Sequence, residues 1–303
     1  MMYRYNAYGL TIESAFELPE LPACSESGQT PDIVFERGSV EPAPESAPGK
    51  RGRRIQASPG RCRLTYDAFG TFLVEDGTRV TFDPGSSEVT DTMAVRRLFE
   101  NEILGVAHHL RGNLVLHASA VSVNGRGAVF LGPRGAGKST TAAAFSGQGY
   151  TVLEDDVVAI DIGGERPTLF PGVPQLRLKP DAVEALGIEG TTTHRDDGGS
   201  GKQYLELEPA SDPVPFSRCY LLQDGEPIRF EELPARDRVV ELVSRTHAQG
   251  LVRKTAMETD HFQQCTTVAD SVPFQKLYRP RDHEELPAVV EAVASDLFED
   301  GDS

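Results

Sequence analysis

The sequence predicts an α/β fold, a P-loop core preceded by a β-rich N-terminal region. Three features carry that expectation. The run AVFLGPRGAGKSTTAAAF, residues 128–145, reads as an apolar strand, a glycine loop and an Ala-rich helix in unbroken order. A second strand, TVLEDDVVAI, follows at once, and strand–helix–strand over some thirty residues is a crossover unit. Residues 1–85, by contrast, look β-rich, with near-alternation of apolar and polar residues over 61–82.

The elements follow in chain order. RCRLTYDAFGTFLVEDGTRVTF, residues 61–82, reads as a β-meander broken at Phe69-Gly70 and at the Asp76-Gly77 turn. Residues 40–53 are Pro-rich and polar, hence a loop. From Thr90 to Arg111 the period becomes helical, with Val95, Leu98, Phe99, Ile103, Val106 and Leu110 on one face and Gly112 as the stop. His108 and His109, near the end of that helix, read as helix-surface residues. LVLHASAVSV and AVFLG are strands around an Asn124-Gly125 hairpin turn, and Gly147 and Gly149 end the helix after the loop. The crossover rule makes AVFLG and TVLEDDVVAI parallel, and they read as neighbours. Residues 191–203 are polar and Gly-rich and predict a mobile loop, whose Lys202 could close over a ligand. HEELPAVVEAVASDLF reads as a final helix with a frayed acidic tail. The expected domain division is 1–87 for the β-rich region and 88–303 for the P-loop domain.

Composition narrows the function. With a formal charge of −16, and lysine supplying six of the thirty basic residues, the surface repels nucleic acid and anionic membranes. The same balance suits a salt-rich cytoplasm. No run approaches the roughly 18 apolar residues of a membrane helix, and the N-terminus lacks a signal-peptide apolar core, so cytoplasmic residence is expected. The four cysteines, Cys24, Cys62, Cys219 and Cys265, have no metal-ligand spacing and read as buried, unpaired thiols.

The glycine loop carries the chemistry. Gly132, Pro133, Arg134, Gly135, Ala136, Gly137, Lys138 and Ser139 fill GxxxxGK(S/T) at every required position, and Thr140 continues into the helix. Glycines let the backbone curl round phosphates, and a helix N-terminus turns its N–H groups and positive dipole end toward them. Lys138 is expected on the β/γ-phosphates and Ser139 on Mg²⁺. Sixteen residues beyond Lys138 comes Glu154-Asp155-Asp156, closing an apolar strand where an open sheet presents its ligand crevice. Two adjacent acids can divide metal binding and proton acceptance only where the strand has ended and the backbone turns. His117 ends the strand LVLH shortly before the loop, and a bland core or surface histidine is the alternative there.

The run LHASAV, GPRGAGKST and LEDDVVAI resembles the core of the HPr kinase/phosphorylase superfamily, which shares its nucleotide fold with phosphoenolpyruvate carboxykinase. PGVPQLRLKPDAVEAL, GKQYLEL, PVPFSRCYLL, VPFQKLYRPRD and the opening YNAYGLTIESAFELPEL extend the resemblance to HPr-kinase-related proteins over most of the chain. It implies His117 as the family histidine, Lys138 and Ser139 as nucleotide and Mg²⁺ residues, and Asp155-Asp156 as the catalytic pair. By that analogy Asp155 is the general base oriented by His117, and Asp156 serves Mg²⁺, with the reverse assignment open. The family's Glu-Ile-Arg-Gly signature is represented by Gln175-Leu176-Arg177-Leu178, which keeps the arginine and lacks the acid. Arg177 is therefore either a phosphate-stabilising residue or a structural ion-pair partner. The N-terminal part does not resemble the family's regulatory domain.

These readings converge on a kinase that uses ATP and Mg²⁺ to phosphorylate a hydroxyl, serine of a protein or peptide foremost. A small-molecule kinase and a non-catalytic nucleotide-binding module are the alternatives. Acceptor, base preference and oligomeric state, a homo-oligomer included, stay open.

Overall fold

In the computed structural model the described residues are 2–24, 28, 30–50, 52–85, 93–188, 192–195, 201–247 and 249–299. They form a mixed α/β structure in two compact units, Met1–Val115 with His247–Gln264, and Leu116–Thr246 with Cys265–Ser303. These bounds differ from a division at residue 87, because the first unit takes in the helical segment after the meander and a later stretch of chain. Among the described residues no helix is long and apolar enough to cross a membrane.

The first unit is built on one sheet whose strand order is Tyr3–Ala7, Leu10–Ser14, Ile33–Arg37, Arg79–Asp83, Gly70–Glu75, Arg61–Tyr66, Arg53–Ser58 and Gly49–Lys50. The last five pair antiparallel in sequence, so the meander forms with its turns at Gly70 and at Asp76-Gly77, all at positive φ. The Pro-rich loop ends earlier than its composition suggests, since Gly49–Lys50 already pairs with Arg53–Arg54. One face of this sheet is aromatic. Phe35 stacks on Phe99 with ring centroids 4.0 Å apart, and Phe72 on Phe82 at 4.4 Å.

Phe99 belongs to a helical run from Met93 to Leu110 that widens to a π-turn over Leu98–Ile103. Val95, Phe99, Ile103 and Val106 are buried as the periodicity predicts, and Gly112 closes the run at φ +87°. His108 and His109 are not surface residues. They are 1% and 3% exposed. The His109 Nε2 lies 2.9 Å from Thr255 Oγ1, and His108 Nδ1 lies 2.9 Å from Asn113 Nδ2. The segment 249–264 is part of this unit, and one-face periodicity could not foresee a second covering layer.

In the second unit the hairpin Ser119–Val123/Arg126–Leu131 turns at Asn124 and Gly125, both at positive φ. Lys138–Gly147 is the helix after the glycine loop, and Thr151–Asp155 the strand that follows. The loop strand Arg126–Leu131 and the acid strand Thr151–Asp155 do run parallel. They are not neighbours, because Ser119–Val123 lies between them, antiparallel to both. On its other side the loop strand pairs parallel with Val214–Asp224, which pairs parallel with Phe274–Arg279. Four strands therefore end at the same edge. TVLEDDVVAI is two strands, Thr151–Asp155 and Val158–Asp161, with Asp156 between them at φ +98°.

A small sheet pairs Gln175–Leu178 with Gln203–Glu206 and that strand with Thr192–Arg195. Residues 192–195, expected in a mobile loop, are thus a strand, as their threonines favour. Residues 191 and 196–200 of that loop lie outside the described residues, as does the acidic tail from 300. The final helix, Leu286–Glu299, buries Val289, Val290, Val293 and Leu297 and packs on the helix Lys138–Gly147. Cys62, Cys219 and Cys265 are buried thiols outside any disulfide, whereas Cys24 is only half-buried.

Candidate functional site

The glycine loop turns sharply between strand and helix. The Ala136 N–H donates to Pro133 O at 3.1 Å, and Thr141 N–H and Oγ1 both donate to Gly137 O. Gly137 adopts φ +89°, which favours glycine, and a Cβ there would meet the Arg279 guanidinium, which would have to shift. Lys138 is 8% exposed and reaches back across the loop to donate to Gly132 O at 3.2 Å. Burial lowers its pKa, against the opposing pull of Asp155 and Asp156.

Gly132 and Pro133 lead into the loop. Residues 134–140 line a cavity of about 780 Å³, the size of a small-molecule cleft. His117, Asp155, Asp156, Arg177 and Lys202 line it as well. The register explains why acids and loop meet although their strands are not adjacent. Ser119 stands opposite both Phe130 and Asp155, so the acid strand ends level with the loop strand.

Each acid has a distinct setting. Asp155 is 7% exposed and accepts from Ser119 Oγ at 2.5 Å, while the Arg177 N–H lies 3.4 Å from its other oxygen. Burial raises its pKa, and hydrogen bonding from Ser119, with a smaller share from Ser139, opposes that rise. Asp156 stands past the strand end and its carboxylate turns back to His117, whose Nδ1 lies 2.7 Å from Oδ1. The backbone N–H of His117 donates to Arg245 O at 2.7 Å, and that of Asp156 to Ala118 O at 2.9 Å, which fixes both ends of the pair. The resemblance left open which of the two acids the histidine meets; the ring meets Asp156. The reason is the positive φ at Asp156, which swings the second carboxylate away from the strand. The neighbouring Glu154 is structural, accepting from Val173 N–H at 2.7 Å and Asp155 N–H at 3.0 Å.

Arg177 lies on the small sheet with its guanidinium 5.8 Å from the Tyr204 ring centre, and Lys202 Nζ donates to Arg177 O at 3.4 Å. Burial lowers the Lys202 pKa. Two residues escaped the sequence reading. Ser119 orients Asp155, and only its place between small residues next to His117 could have marked it. Arg279, 5% exposed, donates from Nη2 to Ala136 O at 2.7 Å and from Nη1 to Pro280 O at 3.1 Å. Nothing local distinguishes it from other arginines.

The oxygen donors near Ser139 and Asp155 suit a hard cation such as Mg²⁺. Among the described residues no group of three or more His, Cys, Asp or Glu side chains is arranged to hold a metal alone. A Mg²⁺ bound here would take its remaining ligands from phosphate and water, which is its habit.

No protein-family model and no curated protein matches the chain. Among solved structures, the Hpr(Ser) kinase/phosphatase from Coxiella burnetii aligns with 60% of this chain and 94% of its own, at 12% identity and a TM-score of 0.31.

Proposed function

We propose that this chain is a kinase that transfers the terminal phosphoryl group of ATP, with Mg²⁺, to a hydroxyl, serine of a protein or peptide foremost. The observation that carries the reading is the His117–Asp156 pair, 2.7 Å apart, on the same cavity as Lys138 and the loop N–H groups. Pure nucleotide binding needs the loop but no such oriented carboxylate. In the transfer, the acceptor oxygen forms a bond to the γ-phosphorus as the bridging β–γ bond breaks. The hydroxyl proton passes to Asp156, and the electron pair of the broken bond leaves on the diphosphate.

His117 holds the Asp156 carboxylate in place, which makes it a positioning residue. Asp155, beside Ser139, takes the metal side, so the two acids exchange the roles that the resemblance first suggested. Mg²⁺ bound there would neutralise phosphate charge. Lys138 exchanges its Gly132 carbonyl for a phosphate oxygen, and Arg177 and Lys202 add positive charge on the acid side of the cavity.

Labelled ATP with Mg²⁺, offered candidate peptides and then a metabolite pool, tests the activity and separates a protein kinase from a small-molecule kinase. Asp156→Asn should reduce transfer by about 10²- to 10⁴-fold with nucleotide affinity retained. His117→Ala should lower kcat more than it raises KM. Normal turnover in both variants would remove the pair from the mechanism.

A further inference from the structure

The small sheet has two unlike faces. In the register of Gln175–Leu178 with Gln203–Glu206, Leu176 stands opposite Leu205 and Arg177 opposite Tyr204, and successive residues point to opposite sides. Leu176, Leu178 and Leu205 are buried in the core of their unit. Arg177 and Tyr204 belong to the other face. The same register, carried one step past Leu178 and Gln203, sets Lys179 opposite Lys202 on the face of Arg177. Three cations therefore share one face of a strand pair, and all three line the cavity.

Like charges set opposite one another destabilise a strand pair, so this face carries a cost that packing does not explain. Burial, with Arg177 and Arg134 after it, lowers the Lys202 pKa against the pull of Asp155 and Asp156. The chain has 46 acidic residues against 30 basic ones and only six lysines, yet three of those lysines, Lys138, Lys179 and Lys202, line this one cavity. Its acids are Asp155, Asp156 and Asp181. Other cations of the cavity are engaged: Arg281 meets Asp224 at 2.7 Å, and Arg279 donates to the carbonyls of Ala136 and Pro280. Arg134 and Lys179 are exposed and make no ion pair among the described residues. The phosphoryl donor does not account for this surplus. Its phosphates have the loop N–H groups, Lys138 and a divalent metal that cancels part of their charge.

We infer that this face is an anion subsite for the acceptor, an inference that rests on the kinase reading above: Arg177, Lys179 and Lys202 hold carboxylates that flank the serine of an acidic peptide, while its hydroxyl meets Asp156. Cations at separate positions of a ladder match several anions spaced along a chain better than they match one carboxylate. The peptide supplies the counter-charge that the face lacks. With a formal charge of −16 the chain as a whole repels an acidic peptide, so selection for one has to come from this face.

The test uses the full chain saturated with Mg²⁺ and a non-hydrolysable ATP analogue. Two fluorescent serine peptides differ only in carrying glutamates or glutamines on both sides of the serine. Anisotropy should show the glutamate peptide bound at least about 10-fold more tightly at low salt, with the advantage shrinking as salt rises. Lys179→Gln, at an exposed position that does not threaten folding, should narrow that preference, and Lys179→Gln with Lys202→Gln should remove most of it. Equal affinities, a tighter glutamine peptide or no binding of either would overturn the subsite and leave the nucleotide site standing. A preference that both substitutions leave intact would overturn it too. If the face serves the donor phosphates instead, the bound analogue fills it and the two peptides bind alike. Calorimetry with the analogue alone separates these results from failure of the kinase reading: an analogue that does not bind defeats that reading, and the subsite with it.

Discussion

In the first unit His109 reaches Thr255, and Arg97 meets the fully buried Glu100 at 3.0 Å, beside a core of stacked phenylalanines. In the second, Lys138 and Asp155 are nearly as enclosed but lie on a cavity, with positive and negative groups arranged around space. Burial shifts both sets away from charge. It lowers His108 to about 3 and His109 to about 4, pushes Glu100 well up, lowers Lys138 and raises Asp155. His109 is settled by that shift, since a neutral ring with a hydroxyl partner has little further demand, whereas His108 Nε2 and Glu100 Oε1 are buried with no hydrogen-bond partner among the described residues. The second stays poised: a phosphate and a cation would restore the charge that burial opposes. One unit encloses its buried polar groups within its packing, and the other sets them on a cavity, open to a ligand.

Three measurements would break or sharpen that contrast. The largest effect belongs to the aromatic core. Phe99→Ala removes a fully buried ring stacked at 4.0 Å on Phe35 and should cost about 3–5 kcal/mol in denaturant unfolding. A loss below about 1 kcal/mol, within the usual range of surface substitutions, would mean the stack contributes little.

Next comes the pH response of the buried histidines. Their folded-state values lie below the ordinary 6.5, so the unfolded chain binds protons that the folded one refuses. Stability is therefore fully present above about pH 6.5 and falls as the pH drops toward 4, by at most roughly 3 kcal/mol per ring. Circular dichroism against urea at each pH should show that slope, and His109→Gln should flatten it. A slope that His109→Gln leaves unchanged would contradict the burial of that ring, since the raised carboxyls Glu100 and Asp155 act with the opposite sign in both proteins.

The smallest effect has the opposite sign. Asp155 has a raised folded-state pKa, so holding it charged at neutral pH costs the folded state some stability. Asp155→Asn keeps an acceptor for Ser119 and should stabilise the ligand-free protein by about 1 kcal/mol while abolishing transfer. A lower melting temperature would make Asp155 a structural group like Glu154 and erase the contrast between the two units.

Much of this was legible in the chain itself. The meander and its Asp76-Gly77 turn, the hairpin at Asn124-Gly125 and the strand, glycine loop and helix around Lys138 are each encoded within about twenty residues, where turn chemistry and periodicity act. The Asp pair at a strand end and the neighbouring His117 were equally visible as residues. What those residues do to one another was not. The hairpin strand between loop strand and acid strand is a matter of long-range pairing, as is the level at which Asp155 meets Ser119. Which acid His117 holds depends on a single positive φ at Asp156, and a local sequence rule assigns that conformation chiefly to glycine. Arg279 is 142 residues from Gly137 in the chain, yet a Cβ on that glycine would strike it, and His108 and His109 are buried by segments distant in sequence. Local backbone preference selects elements; only burial and pairing across the whole chain select their neighbours, and the chemistry of the site resides in those neighbours.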